Sequence, residues 1–132
     1  MAFSETNTAK QYYDVEVGTG QSGYEETMKI GLMYVSEYGY GANPEKWTTA
    51  LYENNYGTDN WLYIGSPEWT ISRYASNAHG AFFVQSGDGG GRVDGGLVVF
   101  LFPVRPSFSL ASTVEISSGT GTSTDPFVLN LG

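Results

Sequence analysis

The chain has 132 residues, which is enough for one domain built around one hydrophobic core. Six basic against fourteen acidic residues give a net charge of −8 with no basic cluster, so nucleic acid is not expected as a partner. The sequence has no cysteine, which excludes disulfides, thiolate metal sites and thiol nucleophiles. We also expect no membrane insertion, because no apolar run is long enough to span a bilayer and no signal-peptide core follows Met1.

The predicted elements are mostly short strands, since aromatic residues are typical of strands and glycine is typical of turns. Alternating apolar and polar residues predict a half-buried strand over residues 11–17, and a more apolar run predicts a central strand over residues 27–36. A capping Asn43 followed by Pro44 predicts a helix over residues 44–52. Further strands are predicted over residues 61–64, 69–72, 81–84, 98–102, 108–110, 114–116 and 126–129. Trp61 and Trp69 each begin such a strand, so both are expected in the core.

The stretch over residues 86–106 joins a glycine-rich run to the most apolar part of the chain. Six glycines in residues 86–96 predict surface turns and irregular backbone. In the strand expected next, alternation places Phe100 and Phe102 on one face, which we expect to be partly exposed beside Arg92 and Asp94. Arg105 lies within apolar sequence, so a buried ion pair with a carboxylate is expected there.

Three patterns suggest chemistry but are weak. Gly18, Gly20 and Gly23 match a dinucleotide-binding pattern, but no helix start or series of βαβ units follows, which favours a turn. The single histidine, His79, has no nucleophile motif around it and is expected in a surface loop. No cofactor is expected; calcium remains an alternative at an irregular loop that contains Asn54, Asn55, Asp59 and Asn60.

The segments KIGLMYVSEYGYG, NPEKWTTAL, DNWLY, EWTISR, AFFV, VRPSFSL and SGTGTSTDPFVL cover nearly the whole chain from Tyr12 onward. Together they resemble a family of bacterial surface and pilin-associated domains common in gut Firmicutes. The resemblance implies an α+β fold of C-type-lectin-like, sulfatase-modifying-factor-like type, with short antiparallel strands, one or two short helices and long loops. Residues 1–132 would be a single such domain, either a short family member or a domain excised from a longer protein. Lectin-like folds also close their ends together, so residues 12–17 are expected to pair with residues 127–131.

The resemblance further implies a non-enzymatic recognition module at a cell surface or phage particle, binding a protein or glycan. Residues 86–104 contain no Glu, Lys, Gln, Met or Trp, as expected of a segment diversified by a retroelement that rewrites adenine-containing codons. The candidate ligand-binding residues are Tyr74, Asn77, His79, Asp88, Arg92, Asp94, Val99, Phe100 and Phe102. A structural pilin head is the alternative. A formylglycine-generating type of enzyme is a third and weaker hypothesis, because that class relies on cysteines.

Overall fold

The computed structural model describes residues 5–17 and 30–131. In this part of the chain, two short α-helices and seven short β-strands form a mixed α+β structure, which confirms the expected class. The helices are α1 (Ala9–Glu16) and α2 (Val35–Tyr40). The strands are β1 (Gly31–Leu32), β2 (Glu68–Arg73), β3 (Gly80–Val84), β4 (Val93–Leu97), β5 (Pro106–Ser107), β6 (Glu115–Ser118) and β7 (Val128–Asn130).

The first element is the helix α1, so the strand predicted over residues 11–17 is wrong. Thr8 caps the helix, with its hydroxyl accepting from the Gln11 amide while the Gln11 side chain accepts from the Thr8 amide at 2.9 Å. Such a reciprocal capping box satisfies two amide donors that the first turn leaves without partners. Ala9 and Tyr12, three residues apart on one face, are fully buried. The alternation read as a strand is short enough to fit both periods.

The region after residue 30 also departs from the predicted elements. Residues 31–32 form a strand, but the helix α2 follows within the interval predicted as a central strand, and residues 27–29 lie outside the described part. Gly18, Gly20 and Gly23 lie outside it as well. The helix predicted over residues 44–52 is reduced to a single 3₁₀ turn, Pro44–Lys46. The predicted start at Pro44 is confirmed, but the Asn43 side chain makes no capping hydrogen bond, and the predicted length is wrong.

The central sheet has the order β2–β3–β4 and is antiparallel. It confirms the strands predicted over residues 69–72 and 81–84. The glycine-rich run is only partly irregular: after a 3₁₀ turn at Gly87–Gly89, the chain enters β4, and Gly89, Gly91 and Val93 are buried. The expectation that residues 86–96 lie at the surface is therefore wrong for Gly89, Gly91 and Val93. Residues 98–100, predicted as a strand, form a turn beyond the end of β4.

The hydrophobic core lies between α1, α2 and the inner face of the sheet. Its largest side chains are Tyr12, Tyr38, Tyr56 and Phe82. The strand β2 contributes polar rather than apolar residues to the buried side: Glu68, Thr70 and Ser72. Most of their polar groups are bonded internally; for example, the Thr70 hydroxyl donates to the Phe82 carbonyl at 2.8 Å, whereas Glu68 Oε2 is buried without a hydrogen-bond partner among the described residues.

Both tryptophans assigned to the core are placed differently. Trp61 is 80% exposed, and the strand predicted over residues 61–64 is a turn. Trp69 is half-buried on the outer face of the sheet. The core prediction for Trp69 is wrong because the buried positions of this strand carry the polar side chains Glu68, Thr70 and Ser72.

The strands beyond β4 form two small antiparallel pairs. The strand β5 returns to pair with β1, and β6 pairs with β7. The strands expected near residues 114–116 and 126–129 are present with shifted bounds, whereas residues 108–110 are irregular. The expected pairing of residues 12–17 with 127–131 is wrong, because the first segment is helical and β7 pairs with β6. In the described ranges no helix is both long and apolar enough to cross a membrane.

Candidate functional site

The nine predicted binding residues are divided between two ends of the central sheet. Asn77 and His79 lie in the turn between β2 and β3, and the His79 carbonyl accepts from the Val98 amide at 3.0 Å. This bond places the turn containing Val99 and Phe100 beside them. Asp88 and Arg92 lie in the connection at the far end of β3, about 17 Å away along a five-residue strand. One compact ligand cannot engage both groups by the same contacts.

Several of the polar candidates are already engaged within the chain. Arg92 stacks its guanidinium on the Tyr52 ring at 4.4 Å and donates to Gln85, Asn54 and Asp94. Burial raises the pKa of the Asp94 carboxyl, although the Gly95 amide and Arg92 oppose this. These contacts make Arg92 and Asp94 part of the scaffold that joins β4 to the preceding loops.

Tyr74 is engaged in the same way. Its ring packs edge-on against Phe82 at 5.1 Å between centroids, and its hydroxyl donates to Glu5 at 2.9 Å, a bond that raises the pKa of Tyr74. Its neighbour Gly95 is required to be small, since a Cβ added there would lie 2.8 Å from the Tyr74 ring. Tyr74 thus closes one side of the core.

The outer face of the sheet carries four aromatic rings in contact, which we call the aromatic cluster: Trp69, Phe83, Phe100 and Phe102. Phe102 lies 5.0 Å from Trp69 and 4.8 Å from Phe83 between centroids, and Phe100 stacks on Phe102 at 5.8 Å. Gly96 makes room for it, because an added Cβ would lie 2.8 Å from the Phe83 ring. The paired glycines of β4 therefore allow aromatic rings to approach the sheet from both sides.

The segment that supplies Phe100 and Phe102 crosses the outer face of the sheet. It leaves β4 at Leu97 and reaches the free side of β2, where the Pro103 carbonyl accepts from the Trp69 amide at 3.1 Å. The apolar side chains of this crossing, which we call the apolar strip, are Val98, Val99, Phe100, Leu101, Phe102 and Val104. All except the half-buried Phe102 are exposed, and Leu101 is 98% exposed. Phe102 thus anchors a row of side chains that face solvent.

Arg105 fastens the end of the apolar strip to the core. Its Nη2 donates to Glu68 Oε1 at 2.6 Å and to the Leu62 carbonyl at 2.7 Å. Glu68 is only 1% exposed, and burial raises the pKa of its carboxyl while Arg105 lowers it. The expected ion pair is confirmed, although Arg105 itself is partly exposed and the carboxylate is the buried partner. Sequence alone gave no reason to choose Glu68.

A second, half-buried carboxylate joins the two helices. Glu16 of α1 accepts from the amides of Val35 and Ser36 at 3.1 and 3.0 Å, and also from the Ser72 hydroxyl. It therefore satisfies the first amides of α2. Burial raises the pKa of Glu16, and these hydrogen bonds act against the rise.

A cavity of about 680 Å³ opens between the two helices and the segment around Arg105. Its aromatic lining comes from Tyr13, Tyr34, Tyr40 and the exposed Trp61. Sequence analysis predicted none of these as site residues. The signal available in the sequence was the start of the helix α1, which contributes Tyr13 to the cavity wall. The strand predicted over residues 11–17 left no place for this cavity.

Within residues 5–17 and 30–131, no three His, Cys, Asp or Glu side chains are grouped as metal ligands would be. Comparisons of this chain with protein families, curated proteins and solved structures found no match.

Proposed function

We propose that this chain is a non-enzymatic recognition module of C-type-lectin-like fold that binds a protein partner through the apolar strip. The observation that supports this most directly is the run of exposed apolar side chains at Val98, Val99, Phe100 and Leu101 over the aromatic cluster. Contiguous exposed apolar surface of this kind is typical of interaction sites.

A protein partner fits this surface better than a glycan does. Residues 97–104 carry no charge, and their side chains offer no hydrogen-bond donor or acceptor. Glycans present many hydroxyl groups, which would lose hydrogen bonds to water without replacement on such a surface. A protein partner can bury its own apolar side chains there, with Phe100 as a central aromatic anchor.

The non-enzymatic part of the proposal is supported by the roles of the perturbed carboxyls. Such groups are often catalytic, but structural ion pairs shift pKa values too. Here Glu16 holds the start of α2, Glu68 holds Arg105, and Asp94 holds Arg92. Each shifted carboxyl already has a structural contact that accounts for its burial.

Surface display, a lectin-like fold and retroelement diversification remain parts of this proposal that depend on the sequence resemblance. The mixture of short helices, short antiparallel strands and long loops supports the fold, although the terminal strand pairing is missing. Diversification would be restricted: Val93 is fully buried, and a Cβ on Gly91 would lie 2.6 Å from the Gly57 Cα. Tolerant positions are expected among the exposed residues of the segment, chiefly residues 97–101.

The test is selection of a displayed peptide library against the full chain, in parallel with a glycan array. We expect enriched peptides that bind the double variant Val99→Ser, Leu101→Ser at least about tenfold more weakly, a change of about 1.4 kcal/mol. The variant should melt like the parent, because both side chains are exposed. The matched control is Trp61→Ser, which removes an exposed apolar side chain away from the strip and should leave binding unchanged. Peptides that bind parent and double variant equally, or glycans that bind where no peptide does, would contradict the proposal.

A further inference from the structure

The cavity between α1, α2 and the segment around Arg105 has the size of a small-molecule site. Its volume of about 680 Å³ lies within the roughly 300–1,000 Å³ that is usual for such sites. None of residues 98–104, which form the apolar strip, is among the described residues that line it. The cavity is therefore a second candidate site, which the proposed partner recognition does not use.

Four aromatic side chains form much of the cavity lining. Tyr13 comes from α1, Tyr34 and Tyr40 come from the two ends of α2, and Trp61 lies in a turn. Tyr40 is held by its neighbours, since its ring meets the rings of Tyr13 and Trp47 edge-on at 6.2 and 5.1 Å between centroids. Tyr13, Tyr34 and Trp61 remain exposed. The faces of such rings carry negative potential and attract organic cations.

Charge in the lining favours a cation as well. Glu37 and Arg105 are the charged side chains among the described residues that line the cavity. The Arg105 guanidinium is already paired with Glu68 at 2.6 Å, whereas Glu37 forms no ion pair with a Lys, Arg or His of the described ranges. The cavity thus contains a carboxylate whose charge is not compensated, in a chain whose net charge is −8.

Local structure fixes this carboxylate in the lining. The Glu37 Oε2 accepts from the Tyr34 amide at 2.7 Å, at the start of α2. The ring of Tyr34 also lines the cavity, so one hydrogen bond ties the carboxylate to the backbone of an aromatic lining residue. Carboxylate and ring are therefore in place before a ligand arrives, which lowers the entropy cost of binding.

The chemistry of the lining also selects the type of cation. Glu37 is the only carboxylate among the described lining residues, whereas a calcium ion takes about six to eight oxygen ligands. A primary ammonium needs several hydrogen-bond acceptors to replace water. A quaternary ammonium has no N–H to donate, and its apolar alkyl groups pack well against aromatic rings. The aromatic lining with one carboxylate fits this last class.

We propose that the cavity binds a small quaternary ammonium compound, with its alkylated nitrogen against the rings of Tyr13, Tyr34, Tyr40 and Trp61, and with Glu37 supplying the opposite charge. This site is separate from the apolar strip and goes beyond the proposed recognition of a protein partner.

The first test compares three probes of one shape by NMR titration of the full chain: choline, the neutral 3,3-dimethylbutan-1-ol, in which carbon replaces the nitrogen, and the anionic 3,3-dimethylbutanoate. We expect choline to bind at least about fivefold more tightly than the alcohol, and the carboxylate to bind no better than the alcohol. Equal affinities for choline and the alcohol, tightest binding of the carboxylate, or no binding of choline up to about 50 mM would overturn the proposal.

The second test removes the charge of Glu37 alone. Glu37→Gln keeps an acceptor for the Tyr34 amide, so we expect the variant to melt like the parent. It should weaken choline binding at least about fivefold and leave binding of the neutral alcohol unchanged. The matched control is Glu45→Gln, which removes an exposed carboxylate that is not among the described lining residues and should change neither affinity. Equal weakening of choline by both variants would overturn the assignment of Glu37.

Two further measurements separate this site from other sources of binding. Trp61→Ser should weaken choline binding but not peptide binding at the apolar strip, so the two proposals can fail independently. Vesicles of phosphatidylcholine present the same head group on a membrane surface. We expect the chain not to sediment with them, because the cavity has room for a whole small molecule. Sedimentation with vesicles in the absence of any binding of free choline would overturn the proposal of a small ligand.

Discussion

Two regions of the chain differ in which side chains they bury: the first buries polar side chains, and the second exposes apolar ones. Up to Asp94 the structure buries polar side chains, among them Glu68, Thr70 and Ser72, and gives each of them internal hydrogen bonds. From residue 95 to residue 131 no residue is fully buried, although Phe102 and Arg105 are half-buried, and this region carries Leu101 and Leu131, two of the most exposed apolar residues. The first region contains the hydrophobic core. The second region carries many apolar side chains that stay exposed, which is typical of a surface that another molecule covers.

The largest expected difference between the two regions comes from a matched pair of leucine truncations, one in each region. Leu51→Ala should lower the free energy of unfolding by about 3 kcal/mol, because it leaves a cavity in the core. Leu101→Ala, the same chemical change on an exposed side chain, should stay within about 0.5 kcal/mol. Urea unfolding of both variants provides the measurement. Equal costs would mean that the second region has a core of its own.

A smaller effect is expected at the link between the regions. Arg105→Ala leaves the buried Glu68 carboxylate without its cation, and we expect a loss of about 2 kcal/mol, below the full cost of breaking a buried pair because Arg105 is partly exposed. The control is Lys10→Ala, which removes an exposed pair with Asp14 and should leave the urea midpoint close to that of the parent. If both variants unfold at the same urea concentration, Arg105 does not fasten the second region to the first.

The smallest expected effect concerns pH. Burial raises the pKa of Glu16, Glu68 and Asp94, so the folded state holds protons that the unfolded chain has released. Stability should therefore fall as pH rises from the ordinary carboxyl pKa through the raised values, and stay lower above them. Thermal melts should show a midpoint a few degrees higher near pH 5 than near pH 7.5. All three groups lie in or against the first region, so a midpoint that falls on acidification would contradict the account of its buried carboxyls.

The sequence predicted what local signals determine. The strands β2 and β3 were found because Trp69, Ile71 and Phe82 stand in short strand-like runs, and Arg105 was assigned an acidic partner because a charge within apolar sequence needs one. The capping box at Thr8 and Gln11 is an equally local signal, and it predicts the helix α1. The strand prediction for residues 11–17 did not use it, so the cavity beside this helix was not predicted either.

Other features depended on contacts that no local pattern contains. The inner face of β2 is polar because Glu16 and Arg105, distant in sequence, provide partners for it. Gly95 and Gly96 looked like turn residues, whereas tertiary packing uses their missing side chains to admit the Tyr74 and Phe83 rings. The exposure of Trp61 could not be predicted either, because the sequence of an apolar run does not indicate whether an aromatic side chain faces the core or solvent.

The three tryptophans give the molecule its own optical reporters. Trp61 is almost fully in water, Trp47 donates its indole N–H to the Ala42 carbonyl beside Tyr40, and Trp69 lies among the phenylalanines of the aromatic cluster. Iodide in solution should quench Trp61 more strongly than the half-buried Trp69. Emission from Trp69 will therefore respond to whatever covers Phe100 and Phe102, while emission from Trp61 serves as an internal reference in the same sample.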